Sequence, residues 1–242
     1  MAKKFIEEGH RVSATSRSPY HDVCREMGVR WCPTLKQLLT PDDHHGSCDV
    51  IVVATSILAF EKSIASLAKQ LKEVNEDGIR TSYGGTPISP RISPRNVKMP
   101  LVVDVCSVKN HPMDVMLNLL PPACDVLCTH PMFGPESGKN SWAYLPMMYD
   151  CVRIRDQNRL HTFLGIFEQA GCKMEQMSCQ EHDRHAASSQ FITHLTGRIL
   201  AAQGPQPTPV DTLGFKSLLK LVDNTCKDSF DLFFGLYQLK KN

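Results

Sequence analysis

Residues 101–109 read LVVDVCSVK, an apolar run of strand length that finishes in a hydroxyl residue and a lysine. Residues 48–56, CDVIVVATS, repeat the pattern, and around these two runs strand-length apolar segments alternate with helix-length amphipathic ones. Such alternation marks an α/β protein with a parallel sheet flanked by helices. Strands are expected at Arg11–Thr15, Asp49–Thr55, Leu101–Val105, Asp125–Thr129, Tyr149–Ile154 and Lys173–Met177. Ile57–Leu71 and Leu160–Ala170 carry helical spacing between them. From Ser178 onward no further strand is expected. Glu181–Ala202 and Thr212–Leu239 read as helices separated by GPQPTPV at 204–210, which divides the chain into a sheet-bearing region, residues 1–178, and a helical region, residues 179–242. Lys72–Pro100, rich in Gly, Pro, Ser and Arg, falls where a short connection would serve, and reads as a mobile insertion.

Composition narrows the function. The 242 residues are 42% hydrophobic and 21% charged, enough to bury a core, and no run approaches the roughly 18 to 20 apolar residues of a membrane helix. A formal net charge of +2 is too near balance for a protein whose main partner is nucleic acid, and the basic residues of Arg80–Lys98 are interleaved with no aromatic but Tyr83. A small-molecule ligand is the expectation. Ten cysteines occur without any C-x-x-C pair, and several lie inside apolar runs, where a free thiol behaves as a small hydrophobe. Neither disulfides nor a metal site is expected.

In an open parallel sheet the ligand crevice lies beyond the carboxyl ends of the strands. The first strand finishes in Ser16, Arg17 and Ser18, and a basic residue with hydroxyl neighbours there suits the 2′-phosphate of NADP better than the ribose of NAD. Thr55, Ser56, Ser107 and Lys109 end the next two strands and are expected at the same crevice. Cys128–Trp142, CTHPMFGPESGKNSW, sets a histidine at a strand tip before a proline and a glycine-containing loop, so His130 is the candidate base near neutral pH.

Four stretches in register resemble the prephenate/arogenate dehydrogenase family, and within it the plant arogenate dehydrogenases: DVCSVK at 104–109, THPMFGPESGK at 129–139, SCQEHDRHAASSQFITH at 178–194 and DSFDLFFGLY at 228–237. The resemblance implies NADP-dependent oxidative decarboxylation of arogenate to tyrosine, with prephenate giving 4-hydroxyphenylpyruvate as the alternative. It assigns His130 to the proton of the ring hydroxyl, and Ser107 to a hydrogen bond with that same hydroxyl that also orients His130 toward the nicotinamide. Gln190, Thr193 and His194 fall in the region of the family that holds the substrate carboxylates, and His182, Asp183 and His185 before them would orient the site. A metal at H-D-x-H is set aside, since hydride transfer needs none here. Asp228 corresponds to the acidic residue that pairs with the ammonium of arogenate and is left unpaired by prephenate. The resemblance further implies a homodimer, tyrosine as an inhibitor and residence in the chloroplast.

The chain departs from that family at both ends. It contains no G-x-G-x-x-G, its opening AKKFIEEGH resembles the tail of the helix that follows that fingerprint, and LKKN comes soon after Tyr237, where relatives continue with long helices. These departures make an inactive fragment or pseudoenzyme without cofactor affinity the competing expectation. MAKKFIEEGH has neither a secretory nor a transit-peptide composition, which leaves the cytoplasm as the alternative to the chloroplast. A hydroxyacid dehydrogenase is a third possibility, but it would want a lysine in Glu181–Ala202, and that segment has none.

Overall fold

The structure is a computed structural model that describes residues 1–40, 47–80, 98–134, 137–226 and 229–239. The elements run α1 (Ala2–Glu7), β1 (Ser13–Ala14), α2 (His21–Glu26), β2 (Arg30–Trp31), α3 (Leu35–Leu39), β3 (Val50–Val53), α4 (Ile57–Arg80) and β4 (Leu101–Asp104). There follow α5 (Asn110–Leu119), β5 (Asp125–Pro131), β6 (Pro146–Arg153), α6 (Gln157–Gln169) and β7 (Lys173–Gln176). The chain then goes on through α7 (Cys179–Ser188), α8 (Gln190–Ala202), α9 (Leu213–Thr225) and α10 (Phe230–Leu239).

Five strands form one sheet in the order β3-β4-β5-β6-β7, and β1 pairs with β2 in a separate two-stranded parallel sheet. The apolar runs explain the centre: all four residues of β4 are buried, and its side chains alternate between two cores. Val102 joins Phe60, Ile64 and Leu67 of α4 and Met116 of α5 on one face. Leu101 and Val103 join Phe163 and Phe167 of α6 on the other, against which Phe5 of α1 also packs. Each fully buried aromatic or aliphatic side chain is worth about 1.5 to 3 kcal/mol, so a strand lined on both faces is held firmly. Helices cover both faces, as in a Rossmann-like, doubly wound α/β fold.

Five features differ from the sequence expectation. β5 and β6 are antiparallel, His130 opposite Met148, in place of a wholly parallel sheet. Parallel strands need a crossover, usually a helix. The described residues between β5 and β6 form no helix, so the chain turns straight back. β2, two residues long, has no counterpart among the expected strands. α4 continues to Arg80, nine residues into the expected insertion; residues 81–97 of that insertion lie outside the described residues.

The helix expected at Glu181–Ala202 is instead broken at Ser189 (φ −123°, ψ −75°). There the hydroxyls of Ser188 and Ser189 both turn back to the carbonyl of His185, at 3.2 and 2.8 Å, and compete with the helical ladder. Thr212–Leu239 likewise divides into α9 and α10. Ser178 starts α7 by accepting a hydrogen bond from the amide of Glu181, an S-x-x-E capping pattern.

Candidate active site

The carboxyl ends of β3, β4 and β5 lie side by side, because β3 to β5 pair in parallel. Beyond them the fold buries an unusual number of charged and polar groups: Asp104, Lys109, Thr129, His130, His182 and Asp183. Such groups persist inside a protein only when paired. Two linked networks pair them.

The first ties β4 to β5. The Lys109 ammonium, 0% exposed, donates to Asp104 Oδ1 and, at 2.5 Å, to the carbonyl of Thr129. Asp104 Oδ1 also accepts from the amide of Cys106 at 2.9 Å, and the Thr129 hydroxyl donates to the Asp104 carbonyl at 2.6 Å. Asp104 Oδ2 finds no donor among the described residues, so the lysine carries most of the compensation. Burial alone would push the Lys109 ammonium down; the Asp104 carboxylate beside it more than offsets this and holds its pKa above the ordinary lysine value.

The second network ties β5 to α7 and α5. His130, 5% exposed and one residue from the end of β5, meets His182 with Nδ1···Nε2 at 2.9 Å. His182 Nδ1 lies 2.9 Å from Asp183 Oδ1. Asp183 Oδ1 accepts from the amide of Lys109 at 2.8 Å and Oδ2 from the amide of Asn110 at 2.9 Å. α5 therefore receives its N-terminal cap from a carboxylate on another helix, which satisfies two amides that its own residues leave open. Burial raises the Asp183 carboxyl, but His182 and the amides of Asn110 and Lys109 outweigh it and hold the group below the ordinary carboxylate value.

Set against the sequence expectations, His130 stands at the strand tip as expected. Ser107 is half-buried on the loop after β4, but among the described residues it makes no hydrogen bond to His130, whose Nδ1 meets His182 instead. Lys109, expected at the crevice, has its ammonium wholly enclosed with Asp104 and Thr129, where it braces the sheet edge. Ser16, Arg17 and Ser18 after β1, and Thr55 and Ser56 after β3, are all exposed at carboxyl ends of strands. They offer hydroxyl and guanidinium donors that fit the ribose-phosphate moiety of a dinucleotide. No glycine fingerprint stands among the 242 residues to cradle a pyrophosphate.

On α8, Gln190 and His194 are half-buried, while Thr193 is exposed and its hydroxyl bonds back to the Ser189 carbonyl at 3.0 Å. Asp228 lies outside the described residues. Sequence reasoning missed Asp104 and Thr129. The available signal was a carboxylate set inside an otherwise apolar strand, five residues before a lysine. The described cysteines are all free, and burial pushes the thiols of Cys48, Cys106 and Cys124 up to about 11, 12 and 11, so they are neutral at physiological pH. No cluster of potential metal ligands occurs among the described residues, and none of their helices is long and apolar enough to cross a membrane.

Over its whole length the chain is 43% identical to arogenate dehydrogenase 1, chloroplastic, of Arabidopsis thaliana, and 41% identical to arogenate dehydrogenase 2, chloroplastic, of the same plant. It spans 34% of the length of the first and 61% of the second. Residues 199–242 match the family described as TYRAAT1-like, C-terminal domain. Among solved structures, a prephenate dehydrogenase from A. aeolicus in complex with hydroxyphenyl propionate and NAD+ superposes with a TM-score of 0.67 at 16% identity, covering 99% of this chain and 77% of that one. Synechocystis arogenate dehydrogenase superposes at 0.64 and 16% identity, covering 99% and 78%. At such identities the two structures speak for the fold.

Proposed function

We propose that this chain, kin to the arogenate dehydrogenases along all of its residues, carries the oxidative decarboxylation of L-arogenate to L-tyrosine with NADP as the hydride acceptor. The observation that carries the proposal is His130, held almost wholly buried at the carboxyl end of β5 by His182 and Asp183. A bound nicotinamide supplies the hydride acceptor. Loss of hydride from the ring carbon that bears the hydroxyl leaves positive character there, relieved when the hydroxyl proton passes to His130. The carbon–carboxylate bond then breaks, carbon dioxide leaves, and its electron pair completes the aromatic ring.

Ser107, half-buried on the loop after β4, is assigned to the same hydroxyl. The exposed Ser16, Arg17 and Ser18 favour the 2′-phosphate of NADP, and the exposed Thr55 and Ser56 after β3 are assigned to the same cofactor. Gln190, Thr193 and His194 are assigned to the substrate carboxylates, and Asp228 to the substrate ammonium. We extend to this chain, by resemblance alone, the division into a cofactor-binding domain over residues 1–178 and a helical domain over residues 179–242, the family's homodimer and its inhibition by tyrosine. Chloroplast residence is extended on the names of the two relatives.

The test is NADP titration of the purified chain, followed by NADPH formation with arogenate and with prephenate. Micromolar cofactor binding and turnover abolished in His130→Ala are expected, and Asp228→Asn should shift the ratio of kcat/KM values toward prephenate by about ten-fold. No binding at millimolar NADP would put the inactive fragment in place of the enzyme.

A further inference from the structure

We infer that His182 and Asp183 are positioning residues that fix His130 in the one tautomer able to take a proton at Nε2, an inference that rests on His130 being the base. At the far end of the chain of contacts, Asp183 faces two backbone amides, Lys109 and Asn110, which can only donate, so its oxygens act as acceptors. The proton between Asp183 Oδ1 and His182 Nδ1 therefore sits on the nitrogen. With its Nδ1–H given to Asp183, the neutral form of His182 presents a lone pair at Nε2. Only a hydrogen on His130 can fill the 2.9 Å gap between that lone pair and His130 Nδ1. His130 thus carries its hydrogen on Nδ1 and its lone pair on Nε2.

This order has two consequences. The base is preset before any substrate arrives, with no rearrangement of protons at the moment of reaction. When Nε2 takes the hydroxyl proton, the resulting imidazolium keeps Nδ1–H against His182, with the Asp183 carboxylate one ring further on. A buried cation is then compensated by an anion that was already ionised and already held. The same carboxylate caps α5, so the orienting group is braced by the start of α5 as well as by its own helix.

The test joins 15N imidazole spectra of the full chain, without ligands, to steady-state kinetics. In the parent, His130 is expected as the Nδ1–H form. His182→Leu should move it toward the Nε2–H form and lower kcat by about 10²-fold or more, with KM for arogenate nearly unchanged. His182→Gln, whose amide oxygen can still accept from His130 Nδ1–H, should keep the tautomer and recover most of the turnover. An Nε2–H form of His130 in the parent, or a folded His182→Leu that keeps the parent's tautomer and kcat, overturns the inference. The spectra need no turnover, so a chain that binds no NADP removes the proposed function and leaves the tautomer result standing. Full activity in His130→Ala would remove the base itself.

Discussion

The carboxyl edge of the sheet and the paired helices α8 and α9 solve opposite problems. At the edge, Asp104, Lys109, Thr129, His130, His182 and Asp183 are polar yet buried, each held by partners drawn from a different element. On the helices, apolar side chains stand in the open: Ile199 is 57% exposed and Leu213 82%. What joins α8 to α9 is a close approach at Gly197, where a Cβ would lie 1.9 Å from Thr225 Oγ1. Phe191 of α8 stacks on Phe233 and Tyr237 of α10, with centroids 5.9 and 5.2 Å apart. The edge is thus determined by bonds with strict geometry, and the helices by shape.

The largest break in this comparison should come from Asp104→Ala. It leaves the Lys109 ammonium enclosed with only the Thr129 carbonyl, and an uncompensated buried charge costs about 3 to 5 kcal/mol, a large fraction of the roughly 5 to 15 kcal/mol that folds a domain. Urea unfolding should show the midpoint falling accordingly. Pairing it with Lys109→Met should recover most of the loss, because replacing both partners removes the orphan. If the single and double variants unfold alike, the pair is not what braces the edge.

A shape-determined contact should fail more gently. Gly197→Ala forces a methyl group into the space of the Thr225 hydroxyl, which bonds back to the Leu221 carbonyl at 2.7 Å. Overpacking of this kind costs about 1 to 3 kcal/mol. Thr225→Ala in the same chain should recover some of that cost, since the clashing oxygen is gone while Thr225 Cβ, 3.0 Å from where the new methyl group would sit, stays. Thermal unfolding of the single and double variants measures it, and equal midpoints for Gly197→Ala and the parent would mean the helices separate at no cost.

The same contrast explains what was legible in the sequence. Apolar runs such as Leu101–Val103 announce their burial residue by residue, so the α/β class and the strand tips, His130 among them, could be read directly. Partners distant in the chain could not be read. Asp183 lies 74 residues from Lys109, and nothing local says that its carboxylate caps α5 or that His182, not Ser107, meets His130. The enclosure of Lys109 was hidden for the same reason. A lysine after a strand reads as a crevice group until Asp104 and Thr129 are seen to enclose it. The helix break at Ser189 did have a local signal in the Ser188–Ser189 pair, but apolar spacing runs straight through it.

The smallest effect, and the one that separates the two regions most finely, is acid. The Asp183 carboxyl is held below its ordinary value of 3.8, so its ionised form stabilises the fold above that value, and the contribution is lost as pH falls through the lowered one. The groups that face it are His182 on its own helix and the amides of Lys109 and Asn110 from the start of α5, with His130 one ring beyond. As pH falls through that lowered value, protonation turns one of the two acceptor oxygens into a hydroxyl and removes the negative charge that held both amides. The exchange protection of the Lys109 and Asn110 amides, corrected for intrinsic rate, should therefore decline before that of amides in α9, which no carboxylate caps at Thr212. Asp183→Asn should show the reduced protection already at neutral pH and lose the acid dependence. Protection that declines together in both regions would mean the edge and the helices yield as one unit, and the distinction drawn between them would not describe how this molecule comes apart.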